Sequence, residues 1–347
     1  MTRFIRSGSL TNFPEIARKV GLDPDRMLRE FGLPPGCLAE PDLMIPVDPV
    51  RQLLEAAAER SGAEAFGLLM AEARKLSSLG PLGMFVREQP TLREAVEAFA
   101  HYARLLNEAL FLTLEDSGEV TVLREELIVG HAGSVRQSTE LAIGVAFEML
   151  RSFLGPEWKP RRVCFAHDAP RDRTVHTRVF GRDVQFGQDF NGIVCARRDL
   201  MVANPHADPT MARYARKLLE DSQPVAAEDL AAKVRQLVVM QLRSGRCTVE
   251  RVAQLLRIDR RTIHRRLSQE DQSFTQIVDE VRRELATRYL ADRGRTLADI
   301  AALLGFAAQS GFSRWYKQQF GTTAAAARAH PVRAAEPTRK RRTVRAD

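Results

Sequence analysis

Two stretches of this chain, VERVAQLLRIDRRTIHRRL at 249–267 and LADIAALLGFAAQSGFSRWY at 297–316, are written to one pattern. Val249, Val252, Ala253, Leu255 and Leu256 of the first match Leu297, Ile300, Ala301, Leu303 and Leu304 of the second at an offset of 48. Past the turn the offset becomes 49, and Ile263, Arg265 and Leu267 match Phe312, Arg314 and Tyr316. Each copy has a capping Thr (Thr248, Thr296), a short amphipathic helix with a small Ala inside, a tight turn and a second helix. The Ala lets the two helices cross closely, and the second helix projects outward, which is the helix-turn-helix layout. One such unit reads equally well as a plain helical hairpin. Two of them, joined by the amphipathic stretch FTQIVDEVRRELATRYLAD, leave that reading far behind.

The outward faces carry the chemistry. In the first unit Arg261, His264, Arg265 and Ser268 point out at helical spacing, while Ile263 and Leu267 turn in. In LLGFAAQSGFSRWYKQQFG (303–321), Ser310, Ser313, Arg314 and Lys317 form the polar face, and Phe312, Tyr316 and Phe320 are expected to anchor the helix. Arg can bond a guanine edge bidentately, and Gln can do the same to adenine. Arg260 and Arg266 suit phosphates, which position a protein without reading sequence. Charge agrees in direction: residues 225–347 hold 24 Lys/Arg against 13 Asp/Glu, whereas residues 1–224 hold 28 against 31. An anionic polymer is the partner such a split suggests, although a merely soluble basic domain has the same balance.

Upstream, the periodicity is that of an α+β domain. Residues 10 to 110 read as helices: FPEIARKVGL, then DPDRMLREFGL capped by Asp23 with Pro24 first. DPVRQLLEAAAERSG follows, capped by Asp48 and stopped by Gly62, and then TLREAVEAFAHYARLLNEA, with Thr91 and Glu94 as a capping box. ALFLTLEDSGEVTVLREEL alternates on both sides of Asp-Ser-Gly-Glu, a β-hairpin. STELAIGVAFEMLRSFLG is helical, and RRVCFAH and VQFGQDFNGIVCA are short strands flanking a helix near 170–180. The expected organisation is a regulatory domain at 1–205, a linker at 206–230 rich in Pro, an all-α domain with two helix-turn-helix motifs at 231–330, and a disordered basic tail at 331–347 containing RKRR.

Other chemistries find little footing. There is no GxSxG, P-loop or GxGxxG. Cys37, Cys164, Cys195 and Cys247 are far apart, so reduced thiols are expected rather than disulfides or zinc. His167, Asp168, His176 and His206 match no metal spacing and read as solvated loop residues. His101, Tyr102, Arg104 and Asn107 could line an effector pocket, but an ordinary helix face explains them as well. No catalytic, metal or cofactor site is expected. No apolar run reaches membrane-span length and no signal peptide is evident, which points to a cytoplasmic protein without membrane contact.

The paired motifs, their connecting helix and LLGFAAQSGFSRWYKQQFG resemble the DNA-binding domain of the AraC/XylS transcription regulators over about 235–328. GLDPDRMLREFGLP, SSLGPLGMFVREQPTLREAVE and VFGRDVQFGQDFNGI are similar to the arabinose-binding-type sensor of one branch of that family. The resemblance places base-facing roles on Arg261, His264 and Arg265, and on Gln309, Ser310 and Arg314. With Arg260, Arg266 and Lys317 these are the candidate DNA-binding residues. It implies a bacterial regulator of promoter DNA, more often activator than repressor, working with RNA polymerase, controlled by a small-molecule effector and able to form a homodimer. An effector-independent regulator whose N-terminal domain only dimerises is the alternative, and an enzyme fused to a basic helical module is a third. In one place the chain departs from the family pattern: GTTAAAAR puts Ala324 and Ala327 where the family usually has Pro and Tyr after the second unit.

Overall fold

The computed structural model describes residues 3–129, 133–221, 230–242, 247–256, 258–291 and 294–329. The tail expected at 331–347 and part of the segment between the domains, 222–229, lie outside these described residues.

The chain opens with β1 (Phe4–Arg6), then α1 (Phe13–Lys19), α2 (Pro24–Glu30) and β2 (Met44–Pro46), which pairs antiparallel with β1. Asp23 caps α2 by accepting from the Asp25 and Arg26 N–H groups, with Pro24 first, as expected. α3 (Val47–Ser61) ends at Gly62, whose φ of 73° places it in the left-handed region. Its start differs from expectation. The β1–β2 pairing delivers the chain to Val47, whose N–H bonds the Arg3 carbonyl, so the helix begins before Asp48 and that carboxylate lies in its first turn. α4 (Phe66–Glu72), α5 (Pro81–Arg87) and α6 (Leu92–Leu106) complete the helical part. Thr91 caps α6 through the Glu94 N–H, but the Glu94 carboxylate accepts from the Thr91 hydroxyl, so only half of the expected capping box is present.

The hairpin forms as read: β3 (Leu110–Ser117) and β4 (Val120–Leu127) pair antiparallel from Leu110–Leu127 to Ser117–Val120 across the Gly118–Glu119 turn. After α7 (Arg136–Leu154), β5 (Arg162–Cys164), α8 (Thr174–Phe180), β6 (Val184–Gln185) and β7 (Asn191–Ala196) fill a five-stranded sheet of order β3-β4-β7-β5-β6. α7 packs on β4, β7 and α4. α9 (Pro209–Asp221) lies against α5 and buries Ala215 and Leu219, so this part of the segment between the domains is folded onto the first domain.

The remainder is helical: α10 (Leu230–Leu242), α11 (Val249–Leu256), α12 (Arg260–Gln269), α13 (Phe274–Ala291), α14 (Leu297–Leu303), α15 (Gln309–Phe320) and α16 (Ala324–Ala329). Both helix-turn-helix units and α13 share one core containing Val252, Ile263, Leu267, Val281, Ile300 and Phe312. The architecture is an α+β domain followed by an all-α domain with two helix-turn-helix motifs. Residues Phe111 and Ile128 of the first domain are buried in the core of the second.

Candidate nucleic-acid interface

The internal echo extends to the backbone. Thr248 accepts from the Arg251 N–H and Thr296 from the Asp299 N–H, the second with a full capping box. At the helix ends the Ala253 carbonyl accepts from the Ile258 N–H and the Ala301 carbonyl from the Phe306 N–H. The second of these is a Schellman closure, with the Gly305 N–H on the Ala302 carbonyl. The two small residues that permit helix crossing are therefore also the acceptors that close each turn, and both are buried.

α12 is capped by Asp259, which accepts from the Thr262 N–H at 2.8 Å. Ile263 and Leu267 are fully buried, while Arg261, His264, Arg265 and Arg266 are all exposed, giving a helix face dense in cationic groups. Arg260 is also exposed but donates to Glu250 of α11 at 3.0 Å, so a carboxylate already holds its charge. On α15, Gln309, Ser310, Arg314 and Lys317 are exposed, and Phe312 and Tyr316 are buried. Phe320 departs from the expected anchoring role: it is 37% exposed and stacks on Tyr316 with ring centroids 4.3 Å apart. Helix α13 braces this unit, through Trp315 Nε1 to Asp279 at 2.9 Å, Arg282 Nε to the Leu304 carbonyl at 3.0 Å, and the Arg282 guanidinium over Phe306. Thr323 caps α16 through the Ala326 N–H, so the helix starts without the family's Pro, and Ala324 is buried there.

The regulatory side holds a mostly apolar cavity of about 90 Å³ between α3, α6, α7 and the β3–β4 hairpin. Leu54, Phe99, Leu110, Leu127 and Leu141 form much of its wall, and Arg74 and Ser9 reach it as well. Of the four candidates on α6 and at its end only Asn107 touches this cavity, and its side-chain amide oxygen accepts from the Ala109 N–H at 3.0 Å.

His167 and His176 are not solvated loop residues. Both approach the fully buried Glu140 carboxylate, at 3.4 and 3.2 Å, beside Arg136 at 2.9 Å, and pack with Phe165 and Phe186. Burial pushes His167 below its ordinary value, and Glu140 only partly opposes that shift. His206 is exposed and stands apart, and among the described residues no group of His, Cys, Asp and Glu is placed to hold a metal ion. The signal for this cluster was Glu140, a carboxylate at helical spacing on the same face of α7 as the buried Ile143 and Phe147.

The domains meet at the base of the hairpin. Arg288 of α13 donates to the Glu126 carboxylate and the Leu127 carbonyl. Arg3 donates to the Ile128 carbonyl at 2.9 Å and to Glu284 of α13 at 2.7 Å, and Arg235 of α10 donates to Glu280 and Glu284.

A family model described as the arabinose-binding domain of AraC transcription regulators matches residues 21–204, and a helix-turn-helix domain model matches 252–330. The chain is 31% identical over 321 residues to the HTH-type transcriptional regulator VirS of Mycobacterium tuberculosis, covering 92% of this chain and 94% of that one. It is 28% identical over 276 residues to the ornithine utilization regulator of Pseudomonas aeruginosa, covering 78% and 80%. The crystal structure of the transcriptional regulator CdpR from Pseudomonas aeruginosa aligns over 88% of this chain and 96% of that one, with 20% identity and a TM-score of 0.43. No helix among the described residues is long and apolar enough to cross a membrane.

Proposed function

The chain belongs to the AraC family of transcription regulators, a DNA-binding regulator and not an enzyme, and from that premise we propose that α12 and α15 read two half-sites of one promoter element under control of a small molecule held in the N-terminal domain. The observation that carries the DNA half is the pair of exposed faces, Arg261–His264–Arg265 and Gln309–Ser310–Arg314, on equivalent helices of one rigid core. Helices so joined enter successive major grooves on one side of the duplex, about 34 Å apart. Because the two faces differ in side chains, the site of one chain is asymmetric. Arg265 and Arg314 contact base edges, while Arg266 and Lys317 contact phosphates.

The regulatory half rests on the hairpin. Leu110 and Leu127 face the cavity, whereas Phe111, Glu126 and Ile128, one residue along, face the DNA-binding domain. Strand alternation makes the hairpin a wall shared by both. A ligand that displaces Leu127 shifts the Leu127 carbonyl and Glu126, and with them the α13 helix that they bind through Arg288. This is the differential contact that effector control requires. One relative is named for ornithine utilisation, in keeping with metabolic control. The regulator then activates transcription by engaging RNA polymerase beside its site, as a monomer or a homodimer.

The test is a titration of Arg265→Ala, Arg314→Ala and Arg266→Ala against a selected site and a scrambled one. The first two lose about 1–3 kcal/mol on the selected site alone, and the third loses equally on both with a flatter salt dependence. Equal losses on both DNAs for Arg265→Ala and Arg314→Ala reduce those residues to phosphate contacts and remove the reading.

A further inference from the structure

The cavity's lining specifies more than a small molecule. Its wall is mostly apolar, with the hydroxyls of Ser78 and Ser138 in it, and two of its polar side chains are committed: Arg6 donates to the Leu79 carbonyl and pairs with Asp42, and Asn107 holds the Ala109 N–H. Arg74 is different. Its Nη2 donates to the carbonyls of Gly8 and Ser9, no carboxylate among the described residues pairs with it, and Nε is buried without a protein partner, as is Ser9 Oγ. Burial pushes the guanidinium down to about 10, so it is still a cation at neutral pH. A buried cation facing an apolar chamber is costly unless an anion meets it.

A pentose presents a polar group on every carbon, all round its ring, whereas this wall offers the Ser9, Ser78 and Ser138 hydroxyls and Arg74 within a mostly apolar surface. An apolar acid distributes its groups as the chamber does: hydrocarbon against Leu54, Phe99 and Leu141, carboxylate at Arg74 and Ser9. On the scale at which an apolar cavity of about 150 Å³ takes one benzene, a cavity of about 90 Å³ admits roughly four non-hydrogen atoms, the hydrocarbon body of a short-chain acid whose carboxylate sits at its Arg74 edge. We propose that this cavity is the binding site for a small monocarboxylate with an apolar body, a short-chain aliphatic acid, with Arg74 as its anion partner. The proposal rests on the reading of the N-terminal domain as an effector sensor and supplies the effector's chemical class.

The experiment uses the full chain, with sodium butyrate, sodium pentanoate, 1-butanol and L-arabinose as probes, followed by calorimetry and by affinity for a selected DNA site. Butyrate and pentanoate are expected to bind saturably, about tenfold or more tighter than 1-butanol, the factor that a charge-assisted bond supplies. Arg74→Gln removes that preference and leaves 1-butanol binding unchanged, and Arg74→Lys restores part of it. Because Arg74 also ties down Gly8 and Ser9, a second variant leaves it intact: Ala142→Leu fills the chamber from α7 and abolishes binding of acid and alcohol together. Butyrate changes DNA affinity in the wild type and not in Ala142→Leu. Acid and alcohol binding with equal affinity, or acid binding that survives Ala142→Leu, overturns the proposal. Arabinose binding that is lost in Ala142→Leu overturns the acid class and keeps the sensor. No binding by any probe, with DNA affinity in cell extract identical for wild type and Ala142→Leu, overturns both.

Discussion

Gly305 and Gly321 offer a controlled comparison within one domain. Both end a helix in the left-handed region, at φ of 73° and 72°. A side chain in that conformation costs about 1–2 kcal/mol through contact of Cβ with the following carbonyl. At Gly321 nothing lies within 4 Å of an added Cβ, so Gly321→Ala should cost that amount and no more. At Gly305 the added Cβ would stand 2.5 Å from the Leu242 carbonyl oxygen and 3.4 Å from its carbon. Neither atom is a flexible side-chain end. The end of α14 must back away from α10, where Leu242 is fully buried, and such overpacking adds about 1–3 kcal/mol.

Gly305→Ala should therefore lose about 2–5 kcal/mol, against about 1–2 for Gly321→Ala. The chain has two tryptophans, and Trp315 packs on Phe306 beside the Gly305 turn. In a Trp158→Phe background, urea unfolding followed by fluorescence reports the second helix-turn-helix unit. An extra 1–3 kcal/mol at a slope of about 1–3 kcal/mol per molar urea lowers the midpoint of Gly305→Ala by roughly 1 M beyond that of Gly321→Ala. Coincident midpoints refute the argument, because they would mean that the α10–α14 approach constrains nothing.

Glu250→Gln releases Arg260 from an exposed ion pair, so stability should change by less than about 1 kcal/mol. Affinity should rise alike for selected and scrambled DNA, with a salt slope steeper by about 1 in an anisotropy titration. His167 is held below its ordinary 6.5 by burial, so the unfolded chain takes up its proton first as pH falls. That contribution to stability is present above about pH 6.5 and lost between there and the lower folded value; His167→Asn should flatten this loss in urea midpoints taken at about pH 7.5 and 5.5. Residues 230–329, expressed alone, should fold and bind DNA but melt earlier than in the full chain, because Phe111 and Ile128 no longer cover their core. Adding Phe111→Ala and Ile128→Ala to the full chain should bring its second domain most of the way toward the fragment's melting temperature, the Arg288 and Arg3 contacts across the domains being kept.

The helix-turn-helix pair was legible because it depends on local chemistry: a cap, a small crossing residue, a closure and an apolar stripe at fixed spacing. Asp23, Gly62 and the Gly118 turn were legible for the same reason. What stayed hidden is long-range. Arg260 reads as a phosphate contact until Glu250, ten residues upstream, is brought beside it. His176 reads as a loop residue until α8 turns it onto Glu140 of α7. Arg74 has no sequence signal at all: it sits just past a short helix, and only folding brings the backbone of residues 8 and 9 and the hairpin around it.

The contact between the domains did leave a trace in the sequence, at the base of the hairpin. A strand with one wet face alternates, and β4 does so, half-buried and buried residues taking turns from Val120 to Leu127. At the base the alternation stops: Ala109 to Leu112 and Leu127 to Val129 are unbroken apolar runs, all of them buried. Such a run means cover on both sides. The cavity side takes Leu110, Leu127 and Val129. Phe111 and Ile128 then require an apolar partner from elsewhere, and α10 with the rest of the second domain's core provides it. The loss of alternation marks the place where whatever occupies the cavity and whatever reads the DNA are separated by the thickness of one strand pair.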